Sequence, residues 1–131
     1  MDRFDDEIEK LAADVIGAAI EVHRHLGPGH AEAFYAKAME IELGLRGIPF
    51  EREHRFEVGY KDRKLGEGRI DFWVGKRLST ELKAVKGIDD SHIQQVVFYL
   101  SNKKEPLGLV INFNVGLLKN GIRRVVQTKH D

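Results

Sequence analysis

A chain of 131 residues, 42% of them apolar, has room for one hydrophobic core. It has no cysteine, which excludes disulfides, a cysteine-ligated zinc site and a cysteine-bound iron–sulfur cluster. Its 21 basic and 21 acidic residues cancel, so no global field draws it to nucleic acid or to an anionic membrane. The acidic N-terminus MDRFDDEIEK lacks the apolar segment of a signal peptide, and no run is apolar and long enough to span a bilayer. A cytoplasmic protein without membrane contact is expected. With no repeat, low-complexity tract or Pro/Ser-rich linker, one domain over 1–131 is the simplest organisation.

Residues 6–25 read as a helix, because Ile8, Leu11, Ala12, Val15, Ile16, Ala19 and Ile20 recur at helical spacing. Asp5 or Asp6 suits its N-cap, and Gly27-Pro28-Gly29 breaks it. A second helix is predicted from Ala31 to Arg46 with Phe34, Ala38, Ile41 and Leu45 as its buried stripe. Gly47 stands where a C′ glycine belongs, with Pro49 beyond. Strands follow at 50–60, where a bend is expected, at 65–74 and at 77–85. A helix at 89–102 buries Ile93, Val96, Val97 and Leu100. The apolar run 107–113 reads as a strand covered on both faces, and 122–126 as a last short strand. The order ααβββαββ implies an α/β fold with a mixed sheet flanked by helices.

The hairpin 69–85 carries the chemistry. Ile70, Phe72 and Val74 are expected on one face, with Arg69, Asp71 and Trp73 on the other. In the next strand Leu78, Thr80, Leu82 and Ala84 alternate with Ser79, Glu81, Lys83 and Val85. Matching the apolar faces sets Asp71 opposite Glu81, with Lys83 beside them. That register requires a three-residue loop at Gly75-Lys76-Arg77; a two-residue turn would separate the carboxylates. Carboxylates directly opposite across strands repel by roughly 0.5–1 kcal/mol. A divalent cation with a taste for hard oxygen ligands, Mg²⁺ or Mn²⁺, would turn that repulsion into binding. Lys83 could then orient a water or stabilise charge on a phosphate. A structural ion pair of Lys83 with either carboxylate accounts for the same spacing.

Charge is unevenly spread. Residues 1–60 hold 7 Lys/Arg against 13 Asp/Glu, 61–86 hold 8 against 4, and 87–131 hold 6 against 4. The basic middle third offers a local field for phosphate, or simply a solvated hairpin. Trp73 is positioned either to stack on a base or to cover the sheet beneath a helix. His23 and His25 suit the negative end of the first helix. Gly27-Pro28-Gly29 is no phosphate loop, since no G-K-[ST] follows; it reads as a turn aiming the helix that carries Glu32. Lys119, Arg123 and Arg124 fit phosphate contact or a charged strand edge equally.

"GEGRIDFWVGKRLSTELKAV" resembles the D-x(n)-E-x-K signature of the PD-(D/E)XK nucleases. "GPGHAEAFY" resembles the signature of the GxxExxY family of small prokaryotic proteins in that superfamily, with Gly29, Glu32 and Tyr35 at the named positions. The flanking "IGAAIEVHRHLGPG", "LRGIPFERE" and "GLVINFNVGLLKNGIRRVV" are similar to that family too. The resemblance implies a restriction-endonuclease-like core. It implies Mg²⁺ or Mn²⁺ held by Asp71, Glu81, the Leu82 carbonyl and Glu32, with Lys83 as the catalytic lysine. Gln95 and Tyr99 resemble a Q-x-x-x-Y motif, expected opposite the Val96/Val97/Leu100 stripe and facing the site. Tyr35, Trp73, Tyr99 and His23 are accessory or nucleic-acid-contact candidates. Ser79 and Thr80 replace aliphatic residues usual before the motif glutamate, which suggests a strand near an edge; His30 and Ala31 replace more apolar residues. The implied activity is hydrolysis of phosphodiesters in DNA, ahead of RNA. At 131 residues the chain lacks room for a separate DNA-recognition domain, so a homodimer or another protein is expected to supply one. The alternative is a non-catalytic module, binding nucleic acid or a protein, that kept the fold.

Overall fold

The computed structural model of the protein describes residues 4–127. The chain runs α1 (Asp6–Leu26), α2 (Glu32–Leu45), β1 (Phe50–Tyr60), β2 (Arg63–Val74), β3 (Leu78–Lys83), α3 (Asp90–Lys103), β4 (Leu107–Asn112), a 3-10 turn (Leu118–Gly121) and β5 (Ile122–Val126). The order ααβββαββ is the one the sequence predicts, with the 3-10 turn added. The five strands lie in chain order within one sheet. Only the β3–β4 pair is parallel, and α3 is its crossover. Among the described residues no helix is long and apolar enough to cross a membrane.

Helices α1 and α2 cover one face through Ile8, Val15, Tyr35, Met39, Leu82 and Ile111, among others. Helix α3 covers the other, with Trp73, Val96, Tyr99, Leu100 and Val110. Every residue of β4 is buried, as the unbroken apolar run requires of a strand covered on both sides. Asp5 caps α1 by accepting the Ile8 N–H at 3.2 Å. Asp89 caps α3 in a capping box with His92. Gly47 leaves α2 with φ of 69°, and the Ile48 N–H closes on the Leu43 carbonyl.

Four expectations are corrected. Phe34, Ile41 and Leu45, read as the buried stripe of α2, are 62%, 56% and 78% exposed. Tyr35, Met39 and Leu43 face the core instead. Both stripes have helical spacing, so periodicity alone does not choose between them. Ile70 packs with Trp73 and α3, while Phe72 and Val74 pack with α1 and α2, so the alternation of β2 slips between Ile70 and Phe72. The neighbouring β1 is irregular at the same level: Glu53 takes a φ of 50° and its level is left unpaired, although the register is the same on either side. Strand β3 is the middle strand rather than near an edge, and Ser79 and Thr80 are fully buried. Ser79 is small for a reason: a Cβ on the neighbouring Gly108 would lie 2.7 Å from Ser79 Oγ and 2.6 Å from Val96 Cγ1. Two small residues thus let α3 approach the sheet closely. Finally, Tyr99 belongs to the buried face of α3 with Val96 and Leu100, not opposite it. Residues 96, 99 and 100 are one turn apart, so they share a face.

Candidate active site where β2 and β3 part

The β2–β3 ladder pairs Val74 with Leu78, Trp73 with Ser79 and Phe72 with Thr80. The loop between the strands is Gly75-Lys76-Arg77, and this register brings Asp71 level with Glu81. Gly75 and Lys76 each have φ of 58°, and the Arg77 N–H returns to the Val74 carbonyl at 3.0 Å. Glycine is needed at 75 for its backbone and because a Cβ would lie 2.8 Å from the Leu11 side chain.

Beyond Phe72–Thr80 the strands separate, and the carboxylates take over the backbone donors. The Asp71 N–H donates to Glu81 Oε1 at 3.1 Å, and the Leu82 N–H donates to Asp71 Oδ2 at 3.1 Å. Each acid therefore holds the other's strand. Glu81 is only 3% exposed. Burial, and then the negative charge of Asp71, push its carboxyl up to about 8, and a side-chain hydrogen bond links the two acids. Near neutral pH Glu81 therefore keeps its proton beside Asp71.

Lys83 follows on β3 and is half-buried. Among the described residues its ammonium forms no ion pair or hydrogen bond, which removes the structural ion pair as an account of the motif. Its charge reaches both Glu81 and Glu32. The backbone at Lys83 is fixed, since the Phe113 N–H donates to its carbonyl at 2.9 Å. Glu32 opens α2. Burial, then the charge of Asp71, raise its pKa, against Lys83, His92 and Arg52. Solvent reaches Glu32, yet it already senses Asp71.

Helix α3 supplies the far wall. Gln95 hydrogen-bonds Tyr99, and Tyr99 is raised well above its ordinary range by burial, then by Glu81 and Asp71. The Q-x-x-x-Y pair thus faces the carboxylates, with Tyr99 at 3% exposure and Gln95 at the surface.

The other candidates are placed differently. Tyr35 is fully buried, stacks on Phe113 at 4.6 Å, donates to the Gly27 carbonyl and accepts the His30 N–H at 3.2 Å. It braces the turn that aims Glu32 and offers nothing to solvent. His23 Nε2 lies 2.8 Å from the Val115 carbonyl and ties α1 to the loop after β4. His25 meets Glu21. Trp73 is 6% exposed, with His54 stacked on it at 5.6 Å and the Lys103 ammonium over it at 5.1 Å. It covers the sheet beneath α3, which is the second of its two readings.

Three residues near the site were not singled out by the sequence. Arg52 donates to the Asp71 carbonyl at 2.9 Å and to Glu40 at 3.1 Å, joining α2 to the site strand. Asn112, 2% exposed, takes the Val85 N–H at 3.0 Å and returns a bond to the Val85 carbonyl at 2.9 Å. That clamps the chain just past Lys83. The one visible signal was a polar residue near the end of the apolar run LGLVINF. His92 accepts the Asp89 N–H at Nδ1, and its charge reaches Glu32.

The basic middle third is not a bare cationic face. Arg55 and Lys64 meet Glu67, and Arg69 meets Glu53 across the hairpin. Cations and carboxylates of β1 and β2 thereby neutralise one another within the hairpin. On the far edge strand, Arg124 is held by Glu9 through bonds of 3.1 and 2.7 Å.

The donor set can be tested against a divalent cation. Among the described residues no three histidine or carboxylate side chains form a ready-made metal cluster. The donors at hand are the two touching acids of Asp71 and Glu81, all hard oxygens, with the Leu82 carbonyl in the same stretch and Glu32 within electrostatic reach. Buried Glu81 in contact with half-buried Asp71 lacks a positive partner, and Mg²⁺ or Mn²⁺ chemistry fits that deficit.

A mixed five-stranded sheet between helices, with this acid pair and lysine where its strands part, defines an α/β restriction-endonuclease-like protein. The chain belongs to the PD-(D/E)XK nuclease superfamily, whose family model matches residues 9–125. Comparison with curated proteins and with solved structures finds no significant match.

Proposed function

We propose that the chain is a metal-dependent nuclease of the GxxExxY type that hydrolyses phosphodiester bonds in DNA or RNA. The observation that carries this reading is the Asp71–Glu81 pair: two acids in contact, one of them buried and protonated, beside an unpaired Lys83. Stability alone gives no reason to bury like charges in contact.

Asp71, Glu81 and the Leu82 carbonyl would hold Mg²⁺ or Mn²⁺, with Glu32 contributing directly or through water. When bound, such an ion polarises a phosphate and lowers the pKa of water. The chain's own groups have separate tasks. Lys83 places a positive charge where negative charge develops on the phosphate and orients the attacking water. Asp71 and Glu81, each gripping the other's backbone, fix the spacing of the donors. Gln95, braced on Tyr99, is positioned to bind substrate at the surface of α3. Arg52 and Asn112 hold the two strands on which Asp71 and Lys83 stand.

The test is cleavage of single-stranded DNA, duplex DNA and RNA with Mg²⁺ or Mn²⁺. Activity in the wild type that disappears in EDTA and in both Asp71→Ala and Lys83→Ala supports the reading. Activity that survives both substitutions refutes this site. The neutralised hairpin favours a second reading, a non-catalytic module binding nucleic acid or a protein. Calorimetry separates the two, because such a module has no need to bind Mn²⁺ at Asp71 and Glu81.

A further inference from the structure

Helix α2 is apolar on two sides. Tyr35, Met39 and Leu43 lie in the core. Phe34, Ile41 and Leu45 form a second line, each more than half exposed, with Ala38 half-buried between them. A helix apolar all round is stable when both sides are covered, and among the described residues nothing covers the second line. Its spacing is regular: 34, 38, 41 and 45 step by four, three and four. That is the d-a-d-a seam of a coiled coil over two heptads.

The charges beside the seam indicate its occupant. Lys37 and Glu42 fall at the g and e positions that flank this seam. Lys37 has no ion pair among the described residues. When two copies of α2 lie parallel and in register, Lys37 of each stands against Glu42 of the other, and joins the pair that Glu42 already makes with Arg46 of its own helix at 2.7 Å. Antiparallel copies bring g to g and e to e, which sets lysine beside lysine. The chain carries no net charge, so two copies do not repel as wholes.

We propose that the exposed face of α2 binds a second copy of this chain, in a parallel two-fold dimer seamed by Phe34, Ala38, Ile41 and Leu45. Two heptads make a short seam, so the dimer exchanges with monomer and its population depends on concentration. The two-fold axis runs along α2, which sets both Glu32 residues at the same end. Resting on the nuclease reading, this arrangement brings both sites to one end of the dimer, as a duplex with two strands to cut would require.

The dimer is tested without an activity assay. Sedimentation equilibrium of the intact chain is expected to show a monomer–dimer equilibrium. Ile41→Asp is expected to weaken it at least tenfold while circular dichroism and thermal unfolding stay those of a folded protein. Because residue 41 is exposed in the monomer, loss of folding is not the expected result; Leu45→Asp provides an independent second variant. Lys37→Glu and Glu42→Lys are each expected to weaken the dimer, and the double exchange to restore it. The chain has no cysteine, so Ile41→Cys alone is expected to form a disulfide-linked dimer under mild oxidation. A wild type that stays monomeric at about 1 mM overturns the proposal. So does a dimer indifferent to both aspartate variants, which would locate its interface elsewhere. Crosslinking of Ala38→Cys with Ile41→Cys in preference to either alone overturns the parallel arrangement. None of these outcomes depends on cleavage, so failure of the dimer and failure of the nuclease reading remain distinguishable.

Discussion

The two ends of the β2–β3 hairpin treat buried charge in opposite ways. At the turn, Arg77 is 6% exposed and answers three carboxylates: Asp5 at 2.8 Å, Glu7 at 2.9 Å and Glu105 at 3.1 Å. Burial works to lower the Arg77 pKa, and its hydrogen bonds to Glu7, Asp5 and Glu105 more than offset that, so the guanidinium is held above its ordinary range. This knot ties the start of α1 and the end of α3 to the hairpin. At the other end, Glu81 is as deeply buried, but its nearest charge is another acid. A buried charge that is matched within the chain serves the fold. One left facing its own kind marks a place where something from outside completes the site.

The contrast can be broken at the turn first. Arg77→Ala leaves Glu105 buried without its cation and is expected to cost about 3–5 kcal/mol in urea unfolding. If the loss is under about 1 kcal/mol, the knot is not what pins the hairpin. At the open end, Lys83→Ala removes a group with no ion pair or hydrogen bond among the described residues. Stability should change little, while cleavage, by analogy with losing one transition-state donor, falls about 10²–10³-fold. A large stability loss with unchanged cleavage would reverse the roles assigned to the two ends.

Titration sharpens the comparison. The native state holds a proton on Glu81 up to about pH 8, whereas an ordinary glutamate carboxyl loses it near 4.5. The folded pKa is raised, so this contribution to stability is complete below about 4.5, declines as pH rises, and is spent above about 8. Metal-free protein should lose at most ~1.4 kcal/mol per pH unit in that window. Glu81→Gln should flatten the slope. Mn²⁺ should bind more tightly as pH rises toward 8 and release a proton on binding, measured by calorimetry in buffers of different ionisation heat. The smallest effect is expected at the surface: Arg124→Ala breaks an exposed pair with Glu9 and should shift unfolding by less than about 1 kcal/mol.

Much was legible from local rules. The strand register around Asp71 and Glu81 followed from matching two apolar faces at the Val74–Leu78 end, and the three-residue loop followed from the register. Helix ends were marked by Asp5 and Gly47, because capping is a local hydrogen-bond requirement. Asp71 and Glu81 meet because the register sets them level, even though the alternation expected of β2 slips at Asp71.

Other features needed the assembled molecule. Alternation slips between Ile70 and Phe72 because the sheet must turn where its strands part, and no single-strand pattern encodes that. The choice between the two stripes of α2 is made by what α1 and the sheet leave uncovered, as Phe34 at 62% exposure shows. Trp73 became core because α3 lies over it, and the cations of the β1–β2 hairpin lost their field to carboxylates of the same hairpin. The sequence by itself determined element order, register and the identity of the chemical groups, all of which depend on neighbours along one or two strands. Only the tertiary structure decided which charges are paired and which faces are covered. Burial and pairing belong to the contacts of distant segments, and so does the distinction between a charge that supports the fold and one kept for function.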